Sequence, residues 1–211
     1  MATKAIQEEE LELKRVVNAI EPMPFWLGYK NAKFWRSEVM ENAFETEFRD
    51  LLQATVGPKF RVEQQFEIKS SKEPRKPGRP EQLDIAIVRG TKEKAPVAIF
   101  EIKRSSRITA NVIADLKRLH DYEYAGKAVV KRFLVLYSHY KAPRAFVTDG
   151  GRARRGVSDA KIEESLVLKV RRAAHANGGS LSNHVGIKGK GQPFFKKSGN
   201  WVVLVEVCVS K

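Results

Sequence analysis

The sequence predicts an α/β protein, a central mixed β-sheet flanked by helices, and two observations carry that reading. Short apolar runs ("LDIAIV", "VAIFEI", "RFLVLY") stand between segments whose apolar residues recur at helical spacing. These segments follow one another as helix, strand, strand, strand, helix, strand, an order that suits a sheet layered with helices. With 211 residues the chain can hold one good-sized core plus an extension, or at most two small domains.

Each element has its own signal. Over residues 5–20, Ile6, Leu11, Leu13, Val16, Val17 and Ile20 form a helical stripe that "EPMPF" is expected to stop. A stronger helix is expected over 31–57, where Phe34, Met40, Phe44, Phe48, Leu51 and Leu52 share a face and Gly57-Pro58 ends it. Phe60, Val62, Phe66 and Ile68 mark the first strand, and their alternation skips a beat at Gln64-Gln65, where a bulge would fit. Residues 70–82, "SSKEPRKPGRPEQ", read as a loop. The strands "LDIAIVRG" and "VAIFEIKR" follow, joined by the turn "TKEKAP". A helix over 107–126 carries Ile108, Val112, Ile113, Leu116, Leu119 and Tyr122 at helical spacing with Gly126 as its stop, and "KRFLVLYSH" is another buried strand.

The last third differs in texture. After the basic, glycine-rich link "TDGGRARRGV", Ser158 is expected to cap a helix with Asp159, Glu163 and Glu164 early, Lys169, Arg171 and Arg172 late, and Gly178-Gly179 after it, a charge order that suits the helix dipole. A closing hairpin follows, with Trp201–Val209 as its clearest strand. The expected organisation is an N-terminal helical extension over 1–30, a core over 31–140, and a basic C-terminal helix-plus-strand extension over 141–211 packed on that core.

Charge narrows the partners. Thirty-nine Lys and Arg against 25 Asp and Glu give a formal net charge of +14 and a pI near 9.9. Such an excess favours a polyanion through counterion release and points to nucleic acid. No apolar run approaches the length of a membrane span, and the acidic N-terminus suits neither a signal nor a transit peptide. Cys208 is the only cysteine, so intrachain disulfides and cysteine metal clusters are excluded and an intracellular setting is the expectation. The four histidines show no metal-ligand spacing.

Candidate chemistry lies at the ends of the two middle strands. Asp84 opens one of them, and Glu101 and Lys103, two residues apart and so on one face, close the next. In an antiparallel pair the first residue of one strand lies near the last of its neighbour, so the two carboxylates converge. Converging carboxylates make a hard-oxygen site suited to Mg²⁺, which binds through one or two carboxylates plus substrate phosphate. The Lys103 ammonium, two residues on, can orient or help deprotonate water and offset charge in the transition state. Taken singly, each of these residues reads more simply as a strand-end ion pair or a turn carboxylate.

These residues, in "LDIAIV…APVAIFEIKR", resemble the core motif of the PD-(D/E)XK nuclease superfamily, which includes restriction endonucleases and Holliday-junction resolvases. The resemblance covers roughly residues 34–138 and has Leu83 where the motif's proline would stand. It implies a restriction-endonuclease-like core, with Asp84, Glu101 and Lys103 as the catalytic set and Mg²⁺, or Mn²⁺ in its place, as cofactor. Members often add a metal-binding glutamate from the first helix. Glu41 and Glu45 both fall within the apolar arc of that helix, and both stand as candidates; Glu47 lies at its far edge.

Basic residues around this centre are candidates for phosphate contact: Arg75, Lys76 and Arg79 in "RKPGRP", Arg104 and Arg107 after the central strand, and Arg154 and Arg155 in "GRARR". "RKPGRP" resembles the core of an AT-hook, with Pro77 where its first arginine would stand. The following helix would face this centre, where Asp115 and His120 could support its ligands, but the simpler reading of both is as solvated residues, and of Phe194, Phe195 and Trp201 as core. The expected function is a Mg²⁺-dependent DNA endonuclease, a homodimer if it cuts both strands. The alternatives are a non-catalytic nucleic-acid-binding module on the same scaffold, or a structure-specific junction resolvase.

Overall fold

The computed structural model describes residues 13–33, 41–67, 82–89, 96–122, 131–139, 143–148, 152–154, 157, 162, 166–177 and 199–208. Residues 13–20 form helix α1. The break expected at "EPMPF" is a turn at residues 21–22, after which the chain is helical again as α2, Met23–Lys33. Prolines are tolerated here because a first helical turn does not need their missing N–H groups, and the Phe25 and Trp26 amides both donate to the Pro22 carbonyl at 3.1 Å. The next helix, α3, spans Glu41–Val56; of the helix predicted over 31–57, residues 31–33 belong to α2 instead, and Phe34 and Met40 lie outside the described residues.

Strands β1 (Phe60–Glu67), β2 (Gln82–Arg89) and β3 (Pro96–Arg104) follow, then helix α4 (Ala110–Asp121) and strands β4 (Lys131–His139), β5 (Val167–Asn177) and β6 (Gly199–Cys208). The six strands form one sheet in the order β1-β2-β3-β4-β6-β5. Only β3 and β4, joined through α4, run parallel; every other neighbouring pair is antiparallel. The α/β class and the mixed, helix-flanked sheet are as the sequence predicts. Among the described residues no helix is long and apolar enough to cross a membrane.

Two apolar cores sandwich the sheet. On one face α3 buries Phe44, Phe48 and Leu52 against Phe100, Phe133 and Tyr137, and α1 and α2 add Val16, Ile20, Met23 and Leu27. The aromatic rings interlock: Phe44 stacks on Tyr137 with centroids 4.3 Å apart, and Phe48 meets Phe100 edge-on at 5.7 Å. On the other face Val112, Leu116 and Leu119 of α4 pack on Ile99, Leu134 and Leu136. Thr109 caps α4, its hydroxyl accepting from the Val112 amide at 3.3 Å. Phe48→Ala would open a cavity beneath the sheet and is expected to cost about 3–5 kcal/mol. Urea denaturation would read this as a lower midpoint at unchanged m-value.

Two elements depart from the sequence-based expectation. The C-terminal helix is contradicted over residues 167–177: these form β5, paired antiparallel with β6. Leu166 and Leu168 are buried while Val167 and Lys169 face out, an alternation of period two. β6 buries Val202 to Val205 on both faces and requires a partner strand on its outer edge, and that tertiary demand overrides the helix-like charge order. The extension therefore contributes two strands to the common sheet. A register shift between Val170 and Arg172 places Arg171 in a bulge, where it pairs with Glu206.

The second departure is in β1. Its pairing with β2 runs through Gln64↔Ile85 and Phe66↔Leu83 without an inserted residue, so there is no bulge. The beat is skipped in the backbone instead. Gln65 has φ 54°, a left-handed conformation that costs a residue with a side chain roughly 1–2 kcal/mol.

Candidate active site

The sheet carries Asp84 and Glu101 to one place. The last β2–β3 pair at this end is Ile85↔Phe100, and one step further sets Asp84 opposite Glu101. Here the Asp84 carboxylate takes the place of a strand carbonyl: its Oδ2 accepts from the Ile102 amide at 2.6 Å. Glu101 is 2% exposed, held between β2 and β4 strands whose middle residues are apolar and buried.

Helix α3 reaches the site from one face of the sheet. Glu41 and Glu45, one turn apart, lie on the same side of the helix. Glu41 Oε1 accepts from Lys103 Nζ at 3.0 Å, and its Oε2 from the Arg104 amide at 3.4 Å. Glu45 is 2% exposed and accepts from Gln65 Nε2 at 2.9 Å. The strained backbone of Gln65 thus presents its amide to a buried carboxylate, which accounts for a residue other than glycine at that φ.

Helix α4 closes the site from the opposite face. Asp115, 4% exposed, stands 3.6 Å from Lys103 Nζ through Oδ2 and accepts from Arg118 at 3.0 Å through Oδ1. The other arm of Arg118 donates to Glu101 Oε1 at 2.9 Å. The result is a chain of alternating charge, Glu41–Lys103–Asp115–Arg118–Glu101, that crosses β3 from one helix to the other.

The electrostatics show carboxylates crowded beyond comfort. Burial raises Asp84 to about 6, with Glu45 and Glu41 adding to the rise and the Ile102 amide opposing it. Burial, then the charge of Asp84, pushes Glu101 up to about 9 against the pull of Arg118. Two acids this close titrate as a unit, and near neutral pH the pair retains a proton. Burial alone would lower Lys103, but its hydrogen bond to Glu41 and the charges of Asp115, Glu41 and Asp84 raise it, so it stands as an ammonium. Burial also raises Asp115, against the pull of Lys103 and Arg118.

The structure thus gathers Asp84, Glu101, Lys103, Glu41 and Glu45. It gathers Asp115 too, which is buried rather than solvated, while His120 pairs with its neighbour Asp121. Arg104 ends β3, Arg107 lies three residues beyond it, and both are exposed. Arg154 braces a turn, donating to the Arg144 and Val147 carbonyls at 3.1 and 3.0 Å. Trp201 packs against the second core, stacked on His175. Arg75, Lys76, Arg79, Arg155, Phe194 and Phe195 lie outside the described residues.

Arg118 and Gln65 are the members that sequence reasoning misses. Arg118 has a usable signal, since it lies three residues after Asp115, which itself falls between Val112 and Leu119 on the apolar arc. Among the described residues no three His, Cys, Asp or Glu side chains converge as a ready-made metal cage. Compared with family models, with curated proteins and with solved structures, the chain gives no match.

Proposed function

We propose that the chain is a Mg²⁺-dependent DNA nuclease of PD-(D/E)XK type. The observation that carries this reading is the meeting of two carboxylates, Asp84 and Glu101, at the ends of neighbouring central strands, with the Lys103 ammonium on the same strand as Glu101. The donor set is carboxylate oxygen, the chemistry that a hard cation selects. The raised proton affinity of Asp84 and Glu101 points the same way: they lie too close and too dry to ionise together without an added cation. Absence of a three-ligand cage among the described residues is compatible with Mg²⁺, which keeps several waters and takes one or two carboxylates plus substrate phosphate.

In this reading Asp84 and Glu101 hold the ion, with Glu45 and Glu41 as further carboxylates beside Asp84. Bound there, Mg²⁺ would polarise the phosphodiester and lower the pKa of an attacking water. Lys103 acts as a fixed cation rather than as a base, because its carboxylate neighbours keep it protonated. Glu41 and Asp115 grip that ammonium from the two faces of the sheet, which positions it to meet negative charge developing on the phosphoryl oxygens. Arg104 and Arg107 lie beside it for contact with backbone phosphates.

The test is a panel of linear duplex, single-stranded, RNA and four-way-junction substrates incubated with Mg²⁺ or Mn²⁺. Divalent-dependent product is the expected result, and the preferred substrate then separates a resolvase from a general endonuclease. Salt-sensitive DNA binding with no metal-dependent product on any substrate would overturn the catalytic reading in favour of a binding module.

A further inference from the structure

Arg118 is about one-third exposed, whereas both carboxylates it holds are buried, Glu101 at 2% and Asp115 at 6% side-chain exposure. Each arm of its guanidinium serves one of them, at 2.9 and 3.0 Å. Asp115 is shared in turn with Lys103 at 3.6 Å. Arginine remains cationic at any working pH, so Glu101 has a permanent internal counter-charge. A divalent ion taken up through Glu101 would neutralise the same carboxylate that Arg118 now serves. The buried carboxylates have nowhere to go, but the guanidinium has a solvent-facing side and a planar fork suited to a phosphate.

Resting on the nuclease reading above, we infer that Arg118 is a metal-released phosphate ligand. Without a divalent ion it is the internal partner of Glu101 and Asp115; with the ion in place it turns to the DNA backbone beside Arg104 and Arg107. Asp115 is the positioning residue that keeps it at the site in both states. Ion binding and DNA binding are thereby coupled, and by linkage each strengthens the other.

Salt dependence of DNA binding tests this, because each phosphate contact adds about 0.9 to the slope of log K against log salt. The probe is a labelled duplex followed by fluorescence anisotropy, without divalent ion and with Ca²⁺ in place of Mg²⁺, the duplex being checked intact on a gel. Arg118→Gln keeps a donor for the buried carboxylates without the charge. Its slope is expected to equal that of the unaltered protein without Ca²⁺ and to be shallower by about one with Ca²⁺. Arg118→Lys should retain the extra contact, and it provides the comparison if the glutamine variant does not fold. Equal slopes in Ca²⁺, or the same deficit with and without Ca²⁺, would overturn the inference while leaving the nuclease reading intact. If the unaltered protein binds DNA without any response to Ca²⁺, the metal-dependent reading and this inference fall together.

Discussion

Lys103→Ala is expected to lower Mg²⁺-dependent cleavage by about 10²–10³-fold, the usual loss when one preorganised charge facing the transition state is removed. Asp84→Asn should abolish cleavage to background, since it removes a metal-holding oxygen and keeps the side-chain shape. Neither change should unfold the protein. The asparagine side chain would retain an oxygen able to accept from the Ile102 amide, and Lys103 sits at the end of β3, only partly buried. Single-turnover cleavage alongside thermal denaturation checks both statements. Full activity in either variant would remove the chemical basis of the proposal, whereas loss of activity with loss of structure would be answered by Lys103→Arg, which keeps the charge.

Glu101→Gln should change stability as well as activity. In the metal-free protein Glu101 faces Asp84 from β2, Asp115 and Arg118 from α4 and Lys103 on its own strand, with Glu41 and Glu45 of α3 near Asp84. Its folded-state proton affinity lies above the unfolded value, 4.5 rising to about 9, and that of Asp84 rises from 3.8 to about 6. The folded state therefore binds more protons than the unfolded one between these limits. The contribution is fully present near pH 4 and fades as pH rises through 6 towards 9, on the order of a few kcal/mol in all. Metal-free protein should accordingly melt several degrees lower at pH 8.5 than at pH 5.5. Glutamine reproduces the protonated glutamate, with an oxygen for Arg118 and a donor for Asp84. Glu101→Gln should raise the melting temperature at pH 8.5 and flatten its pH dependence, while cleavage is lost. Melting temperatures of both proteins at the two pH values decide it; a variant that is less stable at pH 8.5 would contradict the raised affinity.

The strongest part of the site is legible because it is written in short-range pattern. Alternation along "VAIFEIKR" puts Glu101 and Lys103 on one face, and an antiparallel neighbour brings Asp84 within reach. Glu41 and Glu45 are legible as carboxylates inside an apolar helical arc, and the structure engages both. The same rule applies to Asp115, but a lone aspartate on a helix is usually solvated, and that bias hides it. Arg118 and Gln65 depend on what stands across the sheet or opposite a distorted backbone, and no local period reports that. Residues 167–177 show the reverse failure. A charge order favourable to a helix is present, yet the unpaired edge of β6 outweighs it. Pro22 and Pro24 mark the end of α1 as expected, and α2 begins among them because proline fits a first helical turn.

The charge chain from Glu41 to Glu101 also bears on how the molecule reaches its native state. Its helical members come from opposite faces of the sheet, Glu41 from α3 and Asp115 and Arg118 from α4, so it closes only after both cores have packed. The apolar contacts draw these elements together while the clustered carboxylates resist the last approach, a local conflict set into an otherwise consistent landscape. With only the α3 face packed, Lys103 would be gripped from one side and Glu101 would lack its guanidinium. Such a species could bind polyanions through its excess of basic residues but would lack the assembled centre. The proposed hydrolytic competence would therefore belong to the finished fold alone.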